Sequence, residues 1–288
     1  MNEAIRQILA TYEIRSLEDS LRALREVMQE IALLGLWRSK FFEKAAFYGG
    51  TALRVLYGND RFSEDLDFSL LEKGRSFDLA DYGEALKKEL ASFGFAVEIE
   101  SRVKPASAAI QSAFLKADTR TQMITVEFDK CLIQQVPRNQ VIKIKLEIDT
   151  DPPPGFTTET RYLLRPVPFA VRTFSLPDLF AGKMHAVLCR EWKSRAKGRD
   201  WYDLVWFAAH HQELRISHLE QRMRQTGHWA EPASLSAGDL RDLMARRIDK
   251  VDIDQIRREV EPFVKDAAAL AIWSKEFFLD VASRIKII

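Results

Sequence analysis

Residues 49–70 read G-G-T-A-L-R-V-L-Y-G-N-D-R-F-S-E-D-L-D-F-S-L, and the fold turns on this stretch. It opens on paired glycines after the aromatic pair Phe47-Tyr48. That pattern reads as a strand end or tight turn where backbone comes close to something. A short helix over residues 52–57 is predicted next. Leu66-Asp67-Phe68-Ser69-Leu70 then alternates as a strand. Asp65 and Asp67, at i and i+2, share one face of it, close enough to hold a divalent cation together. Hard oxygen donors of that kind suit Mg²⁺, which also takes phosphate oxygens. The Gly49-Gly50-Thr51 turn offers backbone N–H groups that cradle phosphate. Asp-x-Asp alone and Gly-Gly-Thr alone are common. Together, with an apolar residue between the acids and one after, they point to a metal and phosphate site.

Upstream, residues 1–47 read as helical. Ser16 is a predicted N-cap with Asp19 as its capping-box partner, and Leu21, Leu24, Val27, Met28, Ile31 and Leu34 recur at helical spacing. Downstream, residues 60–174 carry strand signals at 97–103, 124–128 and Val141–Asp149. The last run is V-I-K-I-K-L-E-I-D. Lys143, Lys145, Glu147 and Asp149 share one face, and Ile142, Ile144, Leu146 and Ile148 the other. Glu147 is the candidate third acid, with Asp149 two residues on. A row of charges facing one way fits a cleft wall as readily as a solvated face. Pro152-Pro153-Pro154-Gly155 stops the strand, and residues 161–174 are extended, broken by Pro166 and Pro168. From Ser175 the chain turns helical, with Ser175 as cap, Pro177 in the first turn and Asp178 at the third position. This helix is expected to reach about Trp192. A second begins near Asp200, and the final eighty or so residues read as amphipathic helices. No internal repeat is present. The expectation is an α+β protein: a mixed-sheet domain over residues 1–174 with a helical N-terminal segment, and a helical domain over residues 175–288.

Composition narrows the classes. The chain has 288 residues, 47% apolar and 30% charged, with 12 glycines and 10 prolines, which rules out collagen-like and low-complexity chains. Two cysteines, Cys131 and Cys189, make neither a disulfide framework nor a Cys-rich zinc site, and a reducing compartment follows. Apolar runs are too short to cross a bilayer, and the first residues are polar, with no signal-peptide pattern. The expectation is a cytoplasmic protein with no membrane partner. The net charge of +1 gives no global field, yet residues 190–200 read R-E-W-K-S-R-A-K-G-R-D. Arg190, Lys193, Arg195, Lys197 and Arg199 are the candidates for contacting RNA phosphates. Trp192 and Trp201 flank that run and read either as core or as stacking platforms for a base. There is no P-loop, G-x-G-x-x-G or H-E-x-x-H, and no G-x-S-x-G. His210-His211 reads as a helix end and Cys189 as core.

Lys183 lies in an otherwise apolar helical run, A-G-K-M-H-A-V-L. A lysine there is costly to desolvate unless an anion meets it. A triphosphate and Asp200 are the two anions weighed for it. Asp200 and Asp203, at i and i+3, share a helix face, so a purely structural bridge between two helices is the alternative.

Taken in order over about residues 45–207, G-G-T-A-L-R, R-F-S-E-D-L-D-F, K-M-H-A and R-D-W-Y-D-L resemble the AbiEii-type nucleotidyltransferase toxins. The resemblance implies a polymerase-beta-like nucleotidyltransferase core, whose signature is Gly-Gly or Gly-Ser, a spacer, then Asp-x-Asp. The spacer between Thr51 and Asp65 is thirteen residues here, at the long end of the pattern. By resemblance, Gly49, Gly50, Thr51 and Ser63 bind nucleotide, and Asp65 and Asp67 hold Mg²⁺ or Mn²⁺. Lys183 and Asp200 act in the nucleotide site, which the helical domain completes. Glu147 matches the third acid, a position where family members vary. The substrate implied is a nucleoside triphosphate and the acceptor an RNA, in particular the tRNA 3′ end. The partner implied is an antitoxin, often a transcriptional regulator encoded alongside, in a phage-defence system. The alternative is a nucleotide sensor or interaction module of the same fold without turnover.

Overall fold

The computed structural model describes residues 3–73, 76–102, 109–190 and 197–288. In chain order its elements are α1 (Glu3–Leu9), α2 (Leu17–Arg38), β1 (Ala45–Tyr48), α3 (Gly49–Tyr57), β2 (Leu66–Leu70), α4 (Gly83–Ser92), β3 (Glu98–Arg102), β4 (Ile110–Asp118), α5 (Thr119–Thr125), α6 (Lys130–Gln135), β5 (Val141–Asp149), β6 (Thr158–Leu163) and β7 (Phe169–Phe174). There follow α7 (Leu176–Cys189), α8 (Gly198–His210), β8 (Glu213–Leu214), α9 (Ile216–Gln225), α10 (Ala237–Lys250), α11 (Ile253–Val260), α12 (Lys275–Ser283) and β9 (Lys286–Ile287). The chain divides into two units. The first comprises residues up to Leu56, Glu64–Pro152 and Thr160–Thr173; the second comprises Tyr57–Ser63, Pro153–Glu159 and Phe174–Ile288.

In the first unit, the Ser16 hydroxyl caps α2 by accepting from the Asp19 N–H at 3.1 Å. The helical stripe of Leu24, Val27, Met28, Ile31 and Leu34 is fully buried, as burial of one amphipathic face requires. It joins the core that the sheet supplies, where Phe68 meets Phe41 edge-on at 4.9 Å and Phe47 at 5.1 Å. The mixed sheet runs β3-β4-β5-β2-β1-β7-β6. β1 pairs antiparallel with β2, β2 parallel with β5, β5 antiparallel with β4, and β1 parallel with β7. β5 obeys its alternation: Ile142, Ile144, Leu146 and Ile148 are buried, while Lys145, Glu147 and Asp149 are half-buried.

One strand expectation fails. Residues 124–128 are the end of α5 and the turn after it, with no strand among them. Asp118 caps this helix by accepting from the Thr121 N–H at 2.8 Å. Gln122, Met123 and Val126 are buried, while Ile124 is 61% exposed. Those burial positions follow a helical repeat, and the apparent alternation at 124, 126 and 128 was coincidental. The segment read as strand-rich also contains α4 and α6.

In the second unit Phe180 of α7 stacks on Phe207 of α8 at 4.4 Å. Trp201 is 1% exposed and packs edge-on against Phe278 at 4.8 Å, so it is core and has no free face for a base. Trp192 lies outside the described residues. α7 ends at Cys189, short of the expected Trp192, and α8 opens at Gly198. Ser175 precedes α7 but makes no capping bond; its hydroxyl instead donates to Asp178 Oδ2 at 2.7 Å. Gly198 is obligatory for close packing, because a Cβ there would overlap the Ile256 carbonyl of α11. Among the described residues no helix is long and apolar enough to cross a membrane.

Candidate functional site

Two groups of polar side chains stand out, one in each unit. The first is built on the β1–α3 turn, β2 and β5. Gly49 follows β1 directly at φ +84, a left-handed conformation that favours glycine. A Cβ at this position would lie 3.0 Å from Asp67 Cβ and 3.1 Å from its Cγ. Only glycine lets the turn pass this close to the acid. α3 begins at once, so its first N–H groups lie at a helix N-terminus, which favours anions. Thr51 is fully buried, and its hydroxyl donates to the Asp65 carbonyl. The side chain thus ties α3 to the backbone of the first acid. α2 holds the same segment from its other side, through Gln29 Nε2 to the Glu64 carbonyl at 2.9 Å and Arg25 to the Glu64 carboxylate at 3.0 Å.

The register sets Asp67 opposite Tyr48 on one neighbouring strand and opposite Glu147 on the other. Directly opposed residues on adjacent strands point to the same face, so Asp67 and Glu147 stand side by side. Asp65 is two residues before Asp67 in the chain and, like both, half-buried. Asp149 is level with Ser69, one step further along, and its Oδ1 accepts from the Asp151 N–H at 3.0 Å. Glu147 Oε1 receives Lys145 Nζ at 2.6 Å and the Ser112 hydroxyl at 3.3 Å. Asp67 and Glu147 offer hard carboxylate oxygens, the donor type that fits Mg²⁺ or Mn²⁺.

The second group belongs to α7, α8 and the 57–63 segment. Lys183 Nζ is 2.7 Å from Asp203 Oδ2 and 3.3 Å from Asp200 Oδ1. Asp203, with no exposure, also receives Arg61 through two bonds of 2.6 and 2.5 Å and Asn59 Nδ2 at 2.9 Å. Arg190 Nη1 reaches Asp200 Oδ2 at 3.0 Å. Burial opposes the charge on Asp203, but Arg61 and then Lys183 outweigh it and hold the carboxyl below its usual range. Arg61 is itself raised: burial opposes its charge, and Asp203 more than compensates. Lys197 is pulled down by burial first and then by Arg190. Arg61, Lys183 and Arg190 share the two carboxylates Asp200 and Asp203.

Sequence reasoning named Lys183 and Asp200 but undervalued Asp203 and omitted Arg61 and Asn59. The nearest anion to Lys183 is Asp203, so the ion pair between two helices that the alternative reading of Lys183 requires is present. Arg61 and Asp203 are 142 positions apart, a separation that periodicity does not register. The available signal was Arg61 opening the R-F-S-E-D-L-D run, a cation beside the acids. Ser63 lies half-buried at the end of the 57–63 segment. Of the five cations in the basic run, Arg190 is engaged with Asp200, Lys197 is half-buried, and the Arg199 guanidinium sits over the Phe263 ring at 4.2 Å. Lys193 and Arg195 lie outside the described residues.

Comparison with known proteins gives three findings. The family described as "Nucleotidyl transferase AbiEii toxin, Type IV TA system" matches residues 31–281. Among solved structures, JHP933 from Helicobacter pylori superposes with a TM-score of 0.52 at 18% identity, over 90% of this chain and 88% of that one. A second H. pylori structure, described as a nucleotidyltransferase, gives 0.49 at 18% identity, over 90% and 91%. At that identity the JHP933 likeness speaks to the fold alone. No curated protein sequence matches.

Proposed function

The chain belongs to the AbiEii family of nucleotidyl transferase toxins of type IV toxin–antitoxin systems, and from that premise we propose that it is a metal-dependent nucleotidyltransferase acting on RNA. The acceptor oxygen bonds to the α-phosphorus of a nucleoside triphosphate. The bond from that phosphorus to the bridging oxygen breaks, and pyrophosphate leaves. Asp65, Asp67 and Glu147 would hold Mg²⁺ or Mn²⁺. Bound there, the metal supplies charge neutralisation to the phosphates and to the entering and leaving oxygens. Gly49 and Gly50 leave room for phosphate at the first N–H groups of α3, and Thr51 keeps that turn in register with Asp65. Glu147, beside Asp67, takes the proton from the acceptor hydroxyl. Lys183 contributes positive charge to the triphosphate, and Asp200 orients it. Arg190, Lys193, Arg195, Lys197 and Arg199 contact acceptor phosphates.

The observation that carries this reading is the register bringing Asp67 level with Glu147, next to the Gly49 turn. A solvated face would need no such turn. We assign the tRNA 3′ end as acceptor, the cytoplasm as compartment and phage defence as the setting, on the resemblance alone. The family implies an antitoxin as partner, and we take it to be a regulator encoded alongside.

The test is incubation of the protein with labelled nucleoside triphosphates, Mg²⁺ and total tRNA. Label should enter RNA with wild type and fall about a thousandfold with Asp67→Asn, the scale of losing several kcal/mol of metal-borne stabilisation. Nucleotide binding without label transfer would instead establish the sensor reading. Full transfer by Asp67→Asn would remove the acids from the chemistry.

A further inference from the structure

Among the described residues, a third cluster lies within the second unit and shares no residue with either group. His185 and Cys189 are four residues apart on α7, so they share a face. His228 follows α9 by way of Gly227, whose φ of +75 reverses the chain. The N–H groups of His228 and Trp229 both donate to the Met223 carbonyl, at 2.8 and 3.2 Å, and this fixes the turn. One ring nitrogen from each histidine and the Cys189 Sγ lie within 4.8 Å of one another. His185 is half-buried, Cys189 buried and His228 exposed, so the cluster opens to solvent on one side.

Thr226 organises the two rings. Its hydroxyl is 2.9 Å from His185 Nε2 and 2.9 Å from His228 Nδ1. A hydroxyl has one proton, and this one also faces the Arg222 carbonyl at 3.0 Å. At least one imidazole must therefore donate to Thr226, and in its neutral form the other nitrogen of that ring keeps its lone pair. Binding through His185 Nδ1 and His228 Nε2 would leave Thr226 on the nitrogens that do not ligate, as metal-binding histidines are commonly held.

We propose that His185, Cys189 and His228 form a site for one zinc-type divalent ion, with solvent completing the coordination. Two imidazoles and a sulfur select a borderline-soft metal over Mg²⁺. In a tetrahedral zinc site, bonds of about 2.0–2.3 Å put ligand atoms roughly 3.5 Å apart. The exposed His228 ring, on its glycine turn, supplies the remaining closure. Binding breaks the Cys189 S–H bond, forms the sulfur–metal bond and releases the proton to solvent. The proposal is independent of nucleotidyl transfer.

The experiment is equilibrium dialysis of the full chain against Zn²⁺ in excess Mg²⁺, with Co²⁺ substitution as the spectroscopic reading. One equivalent of zinc should be retained, and its affinity should fall about 100-fold or more in Cys189→Ser and in His228→Ala, taking second-shell losses as a floor. The Co²⁺ form should show a near-ultraviolet thiolate-to-cobalt band that Cys189→Ser abolishes. His228 is exposed, so His228→Ala preserves the fold if Cys189→Ser does not. No retained zinc, zinc undiminished in His228→Ala, or no thiolate band would overturn the proposal.

Discussion

In the first unit Asp67 stands level with Glu147 on the neighbouring strand, and both are half-buried. In the second, Asp203 is met at 2.5–2.9 Å by Arg61, Lys183 and Asn59 and is sealed from solvent. The residue types are the same, but the two sites respond oppositely to loss of a carboxylate. A buried, fully paired acid is structural in its energetics whatever else it does, because removing it strands charges that water cannot reach. A half-buried cluster of like charges works against folding and is relieved when one charge is removed. Sites shaped for a ligand that is absent from the apo protein have the second character.

The largest effect expected from this contrast is at Asp203. Asp203→Ala should destabilise the protein by about 3–5 kcal/mol, since Arg61 and Lys183 lose their partner. Urea unfolding of the full chain measures it, and a loss under 1 kcal/mol would erase the distinction between the two sites.

The second effect is in pH, where the two units differ in sign. Glu30 of α2 is pushed up to about 7, by burial first, with Arg165 opposing and Glu26 reinforcing. Its Oε2 is buried with no hydrogen-bond partner among the described residues. Because the folded value lies above the ordinary 4.5, its contribution is complete below pH 4.5 and is lost as pH rises through about 7. The loss is about 3 kcal/mol at most, at 1.4 kcal/mol per unit. Asp203 is depressed, so its contribution is present above its ordinary 3.8 and is lost on acidification below that. Unfolding midpoints between pH 4 and 8 should flatten in Glu30→Gln. An unchanged profile would show that Glu30 ionises normally.

Third, Gly198→Ala should cost about 2 kcal/mol, as overpacking does, because the new Cβ would sit 3.0 Å from the Val260 nitrogen and overlap the Ile256 carbonyl. Stability equal to wild type would mean that α8 and α11 separate freely.

Where periodicity and local chemistry decide structure, the sequence was readable. Val141–Asp149 alternates because one face is buried, Leu66–Leu70 keeps its apolar residues on one buried face, and both are strands over those bounds. The parallel pairing that brings Asp67 to Glu147 joins segments 80 residues apart, and no local pattern encodes it. For the same reason Arg61 and Asn59 escaped notice, while Asp203 showed as one of two acids on a helix face that could bridge to Lys183. The 124–128 segment misled because five residues carry too few apolar positions to separate a period of 2 from one of 3.6. Cys189 reads as core from its helix, and so it is by burial. What the helix alone does not disclose is that His228, reached through a different helix, comes to the same place.

The smallest expected change in apo stability is at Asp67, and it bears most directly on the central claim that the first unit's acids are a cation site. The measurement is a thermal melt of wild type and Asp67→Asn, each with and without Mg²⁺. The apo variant should melt at or above the wild-type temperature, and Mg²⁺ should raise the midpoint of wild type but leave that of the variant unmoved. An apo variant that melts well below wild type, or an equal Mg²⁺ shift in both, would contradict that claim.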